Sequence, residues 1–192
     1  RLVLLLGGLM LLPAALDQAM GNGNAAAMLQ AALITAGLGG LVTLASNPRF
    51  VRTDDWPGAM PGATFDAFIN GFREAPNTTL KRFSLLCSDG KAMASRLLNG
   101  APHAQPDTLL AGLELLATLD TRGALKAFNG PQFHVFAGQD GLVPAQAASD
   151  LLALLPDVQV GLMEQACHAF LLQAPHELAA AIQSFLNELG DD

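Results

Sequence analysis

Two short, uninterrupted apolar runs, Leu2–Leu6 and Leu41–Ala45, constrain the fold more than any other feature. Neither alternates polar with apolar residues, as a strand with one wet face would. Such runs need cover on both faces, which is the situation of strands in a parallel sheet flanked by helices. The first stops at Gly7-Gly8 and the second at Ser46-Asn47-Pro48, residue types that turn the chain sharply. The last third repeats the pattern with helices between strands: a strand over Gln132–Ala137, a helix over Ala145–Leu155, a strand over Val158–Met163 and a helix over Pro175–Leu189. That alternation predicts an α/β architecture with a mostly parallel sheet. Between the two strand regions, Asp54–Asp120 changes character to amphipathic helix, punctuated by Pro57, Pro61, Pro76, Pro102 and Pro106. Helices are expected over Asn77–Leu86, with Asn77 as the cap residue, and from Asp107 through Leu116. The chain therefore divides into 1–53, a helical insertion over 54–121, and 122–192.

The N-terminal region is poor in charge. Leu2–Leu16 and Gln18–Pro48 carry none, and Asp17 stands alone between them. The first run is broken by Gly7, Gly8 and Pro13 and is short for a membrane span, which needs about 20 apolar residues. A signal segment led by Arg1 is the alternative; buried strands and their turns explain both runs more simply. A net charge of -7 excludes a general nucleic-acid binder, which needs clustered Lys and Arg. Cys87 and Cys167 are the two cysteines, far apart in sequence, so free thiols in a reducing, cytoplasmic compartment are expected. The four histidines show no metal-ligand spacing.

The strongest local signal is Phe136-Ala137-Gly138-Gln139-Asp140-Gly141-Leu142-Val143-Pro144, a strand ending in a glycine turn that carries a carboxylate. Functional groups gather at that edge of a parallel sheet. Taken alone, Asp140 reads as a turn or helix cap. Twenty-eight positions on, the loop Gln165-Ala166-Cys167-His168-Ala169-Phe170 follows the next strand and brings His168 to the same edge. An acid followed by a histidine in this order fits a triad, in which the carboxylate orients the imidazole and the imidazole takes a proton from a nucleophile. His103, His134 and His176 read as packing or surface residues.

Together, Leu41-Val42-Thr43-Leu44-Ala45-Ser46-Asn47-Pro48-Arg49-Phe50, Asp55-Trp56-Pro57, Gly112-Leu113-Glu114-Leu115-Leu116, Asp140-Gly141-Leu142-Val143-Pro144 and Cys167-His168-Ala169 resemble one family. It is the pimeloyl-acyl-carrier-protein methyl ester esterases of biotin synthesis, serine esterases of the α/β-hydrolase fold, and the likeness runs over about residues 38–190. The resemblance implies a hydrolase core in two parts, 1–53 and 122–192, with a helical cap over 54–121. It implies Asp140 and His168 as triad acid and base, and Gly8 as the backbone N–H donor to the oxyanion. It implies no cofactor and no metal, a monomer without nucleic-acid or membrane partners, and an acyl carrier protein bearing the pimeloyl methyl ester as the partner. Lys81, Arg82 and Phe83 fall where cap residues would meet the carrier or its acyl chain. Basic residues also cluster there, with Arg73, Lys81, Arg82, Lys91 and Arg96 against Glu74 and Asp89. A solvated helix face is the plainer reading of that cluster; a docking patch for an acidic partner is the functional one. Phe65, Phe68, Phe72 and Phe83 would line an acyl channel or form the cap's core.

The sequence departs from the family's pattern in three places. The usual His-Gly of the oxyanion loop reads Leu6-Gly7, and Thr78 stands where a further cap arginine is expected. No G-x-S-x-G occurs, although the fold presents its nucleophile on that elbow. The nearest fragment, Leu33-Ile34-Thr35-Ala36-Gly37-Leu38-Gly39-Gly40, has the glycines but no serine and runs directly into Leu41 without the crossover that parallel strands need. Either the elbow has been lost or segments of a longer chain are missing. Two rivals therefore stand beside the esterase reading: a non-catalytic or fragmentary hydrolase that only binds an acidic carrier, and a hydrolase of small esters. Cys167, adjacent to His168, reads as packing or a labile thiol rather than a nucleophile.

Overall fold

The computed structural model describes residues 2–6, 39–100 and 105–190. Among the described residues four parallel strands form one sheet in the order β1 (Leu2–Leu6), β2 (Gly40–Leu44), β3 (Gln132–Ala137) and β4 (Gln159–Met163). The register is continuous: Leu41 pairs with Val3 on one side and Gln132 on the other, and Val135 pairs with Gly161. β2 and β3 fold as strands because helices and loops exclude water from both sides; every residue of the two is buried.

Between β2 and β3 lie five helices: α1 (Gly62–Glu74), α2 (Pro76–Leu86), α3 (Lys91–Gly100), α4 (Pro106–Thr118) and α5 (Arg122–Ala127). Helix α6 (Gln146–Leu154) crosses from β3 to β4, and α7 (Phe170–Gln173) and α8 (Pro175–Gly190) follow. Two helix starts differ from expectation. Helix α2 begins at Pro76 rather than with Asn77 as its cap, because proline's fixed φ suits the first helical position. Its flanking residue Ala75 supplies no side-chain cap. Helix α4 likewise opens on Pro106, one residue before Asp107.

The sheet separates two apolar clusters, following the strand alternation. Val42, Leu44, Phe133, Val135 and Ala137 face Phe170, Leu178 and Phe185 on one side. Leu41 and Phe136 face Trp56, Phe65, Phe83, Leu125, Leu142 and Leu151 on the other. No helix among the described residues is long and apolar enough to cross a membrane.

The insertion is tied to the sheet by polar contacts. Arg122 holds Asp120 at 2.6 Å and Asp55 at 3.0 Å, stacks 5.4 Å from the Trp56 ring, and shares Asp120 with Arg49. The Arg122 guanidinium holds the Asp120 carboxyl down at about 2. Asn47 accepts the Trp56 indole N–H at 2.7 Å.

Candidate active site

The extension of β3 supplies the acid. Asp140 sits three residues beyond the strand with a side chain that is 0% exposed. One carboxylate oxygen, Oδ1, accepts the backbone N–H groups of Leu142 at 2.7 Å and Val143 at 2.9 Å. The other, Oδ2, lies 2.8 Å from Nδ1 of His168, whose side chain is 9% exposed. Asp140 thus caps its turn with one oxygen and meets the His168 ring with the other. With Nδ1–H donating to Asp140, the lone pair of Nε2 is left free, and Nε2 has no hydrogen-bond partner among the described residues.

The two loops are stitched together by backbone. Gly138 N–H donates to Met163 O and Gln139 N–H to Ala166 O, both at 2.9 Å. A side chain at Gly138 would press on the backbone of Glu164, so glycine at 138 is what allows this approach. The insertion closes on the same place: Ala169 N–H donates to Cys87 O at 2.8 Å, and Leu86 packs over Gly141. The C-terminal end of α2 therefore rests on both the Asp140 and the His168 loops.

The other candidates separate clearly. His134 is buried in a polar trio: Gln132 donates to Leu125 O, so its Oε1 receives His134 Nε2–H at 3.2 Å, and Thr43 Oγ1–H donates to His134 Nδ1 at 2.7 Å. Burial pushes its pKa down to about 4 and keeps the ring neutral. His176 is exposed at the start of α8. Gly8 and His103 lie outside the described residues, as do residues 33–38 of the glycine fragment. Lys81 and Arg82 are exposed on α2, whereas Phe83, one residue on, is buried. Phe65, Phe72 and Phe83 are core residues, and Phe68 meets Phe83 edge-on at 5.7 Å. Arg73 leaves the basic cluster by pairing with Glu114 at 2.8 Å. Cys87 and Cys167 are free and buried, and burial pushes both thiols up, which disfavours the nucleophilic thiolate. No group of three metal-ligating side chains occurs among the described residues.

Sequence alone did not reveal the backbone donors of Leu142 and Val143 or the Cys87–Ala169 contact. The glycine at 138, at the end of a strand, was their one visible signal.

A parallel sheet with an acid and a histidine on consecutive C-terminal loops matches the α/β-hydrolase fold, and solved structures agree on that fold. An esterase from Exiguobacterium antarcticum superposes with a TM-score of 0.73 at 16% identity, over 84% of this chain and 63% of that one. A bromoperoxidase from Bacillus anthracis gives 0.73 at 21% identity, over 96% and 67%. No family model matches the chain. Among curated proteins, it is 31% identical over 155 residues to the pimeloyl-[acyl-carrier protein] methyl ester esterase of Vibrio parahaemolyticus, covering 77% of this chain and 60% of that protein. It is 37% identical over 149 residues to the same-named esterase of Cronobacter sakazakii, covering 74% and 57%. It is 36% identical over 166 residues to the biotin biosynthesis bifunctional protein BioHC of Teredinibacter turnerae, covering 79% and 29%. Over the matched stretch the chain is similar to the pimeloyl-[acyl-carrier protein] methyl ester esterases, and its fold is that of the α/β-hydrolases. It spans about 60% or less of the length of these relatives.

Proposed function

We propose that this chain carries the acid and base of a carboxylic ester hydrolase that acts on the methyl ester of pimeloyl-acyl carrier protein, in the cytoplasm and without a cofactor. The observation that supports this most is the fixed pair itself, His168 Nδ1 at 2.8 Å from an Asp140 carboxylate whose other oxygen is held by two backbone N–H groups. Asp140 would fix the tautomer and stabilise the imidazolium as His168 Nε2 removes a proton from the attacking hydroxyl. His168 would then return that proton to the departing methoxide, releasing methanol. Gly8 would lend its N–H to the oxyanion.

Residues 54–121 serve in this reading as the cap, between a core formed by 1–53 and 122–192. Its exposed Lys81 and Arg82 meet an acidic carrier, and Phe83 holds the floor beneath them.

The attacking group is the open assignment, since the sequence has no G-x-S-x-G. Labelling with a fluorophosphonate, followed by intact mass and peptide mapping, tests it. One labelled serine identifies an acyl-enzyme route. Ester hydrolysis without a label identifies a water activated directly by His168. Neither label nor hydrolysis would reject the esterase and leave a protein that only binds the carrier. Replacing Lys81 and Arg82 by Ala should slow hydrolysis of the carrier-bound ester far more than that of a small chromogenic ester; equal effects would point to a small-ester hydrolase.

A further inference from the structure

Six large apolar side chains are exposed among the described residues: Leu85, Leu86, Leu152, Leu162, Leu171 and Leu172. Four of them lie within three residues of a single hydrogen bond, Ala169 N–H to Cys87 O, which joins the end of α2 to the His168 loop. Leu85 and Leu86 are 49% and 46% exposed, and Leu171 and Leu172 are 42% and 40% exposed. Isolated exposed leucines need no explanation, but leucines gathered from two segments around one seam mark an interaction surface. Leu86 also packs on Gly141, beside Asp140, so the patch borders the acid–histidine pair.

The chemistry around the patch specifies its occupant. On α2, Lys81 and Arg82 stand four residues before Leu85 and Leu86, so each cation shares a helical face with a leucine. From Pro76 to Gly100 the sequence has Lys81, Arg82, Lys91 and Arg96 against Asp89 alone, on a chain whose net charge is -7. None of these four cations has a salt-bridge partner among the described residues, unlike Arg73. Unpaired cations beside exposed leucines suit an acidic, amphipathic helical surface.

We infer that Leu85, Leu86, Leu171 and Leu172 form an apolar seat for the acidic carrier protein, gripping it where its acyl arm turns toward His168. The inference rests on the carrier-docking reading above and adds a division of labour. The cations speed encounter and make it salt-sensitive, while the leucines set how long the complex lasts.

The test is biolayer interferometry of the unaltered chain and three variants against purified holo-acyl carrier protein, from low to high salt. Leu85→Ser/Leu86→Ser should weaken Kd about 20-fold through faster dissociation, with the salt dependence unchanged. Leu171→Ser/Leu172→Ser, made on the neighbouring segment, should do the same. Lys81→Ala/Arg82→Ala should slow association and flatten the salt dependence. Leu152→Ser, on α6, is the control and should bind normally. Normal binding by both leucine variants would overturn the apolar seat while leaving the docking reading intact. No binding by the unaltered chain would overturn both. Self-association by sedimentation that is abolished in the leucine variants, without carrier binding, would give the patch to a second copy of this chain and overturn the carrier as occupant.

Discussion

Replacing Gly138 by Ala should separate the acid from the histidine without touching either. An added Cβ would lie 2.8 Å from both the carbonyl carbon and the Cα of Glu164, and closer still to its carbonyl oxygen. Ordinary contact begins at 3.4 Å, so the two backbones must part by more than about 0.6 Å, the carbonyl oxygen setting the larger demand. Neither yields easily, because Gly138 N–H and Gln139 N–H are bonded across the gap to Met163 and Ala166. Passed on to the tips of the loops, that displacement would stretch the 2.8 Å Asp140–His168 contact to the edge of hydrogen bonding. Overpacking costs about 1–3 kcal/mol and a weakened hydrogen bond up to about 1 more. The sum, about 1–4 kcal/mol, corresponds to a Tm roughly 2–16 °C lower in a domain of this size. Thermal unfolding followed by circular dichroism measures the first effect. Loss of the slowly exchanging Nδ1–H proton of His168 from the low-field NMR spectrum measures the second. Gly138 does not occupy the left-handed region, so without the clash alanine would stabilise by about 0.4–1 kcal/mol through the unfolded chain. An unchanged or raised Tm with the imidazole proton in place would refute the reasoning.

Other consequences are equally open to measurement. His134 has a folded pKa of about 4 against 6.5, so the unfolded chain binds the extra proton between those values. Stability should be full above pH 6.5 and decline by about 3 kcal/mol as pH falls to 4, and His134→Gln should flatten that slope in Tm against pH. Asp120, held at about 2, loses its contribution only below the usual carboxylate range near 3.8, so Arg122→Ala should leave the slope between pH 6.5 and 4 unchanged. Leu151→Ala, at a fully buried position of α6, should lower chemical-denaturation stability by about 2–5 kcal/mol. Gly58→Ala should also destabilise, because its Cβ would come within 2.9 Å of Ala147 N and its N–H donates to Asp150 at 2.5 Å; differential scanning calorimetry reads the shift.

Strands and the later helices were legible because their signals are local. The Gln132–Ala137 run is bounded by Pro131 and Gly138 and folds as β3 over those six residues, and β2, β4, α6 and α8 fall within one or two residues of expectation. The acid–histidine pair was legible from order and spacing, since two consecutive parallel strands must bring their following loops to one edge. Less visible were features made by residues distant in sequence. Thr43 and His134 meet because the register places them opposite each other, and nothing local in either strand announces the pairing. The Leu33–Gly40 fragment runs directly into Leu41, and β2 begins at Gly40 and lies between β1 and β3. Residues 33–38 lie outside the described structure. The exposed leucines of α2 read as part of an amphipathic helix, and nothing local announces the Cys87–Ala169 bond that joins the end of α2 to the segment leading into α7.

The most direct test of the central claim is the release of methanol from pimeloyl-acyl carrier protein methyl ester by the unaltered protein and by its His168→Ala variant. The account predicts turnover that falls by about three to four orders of magnitude in the variant, because the ring is the group that moves the proton. Turnover indifferent to His168, or none from the unaltered protein, would contradict it.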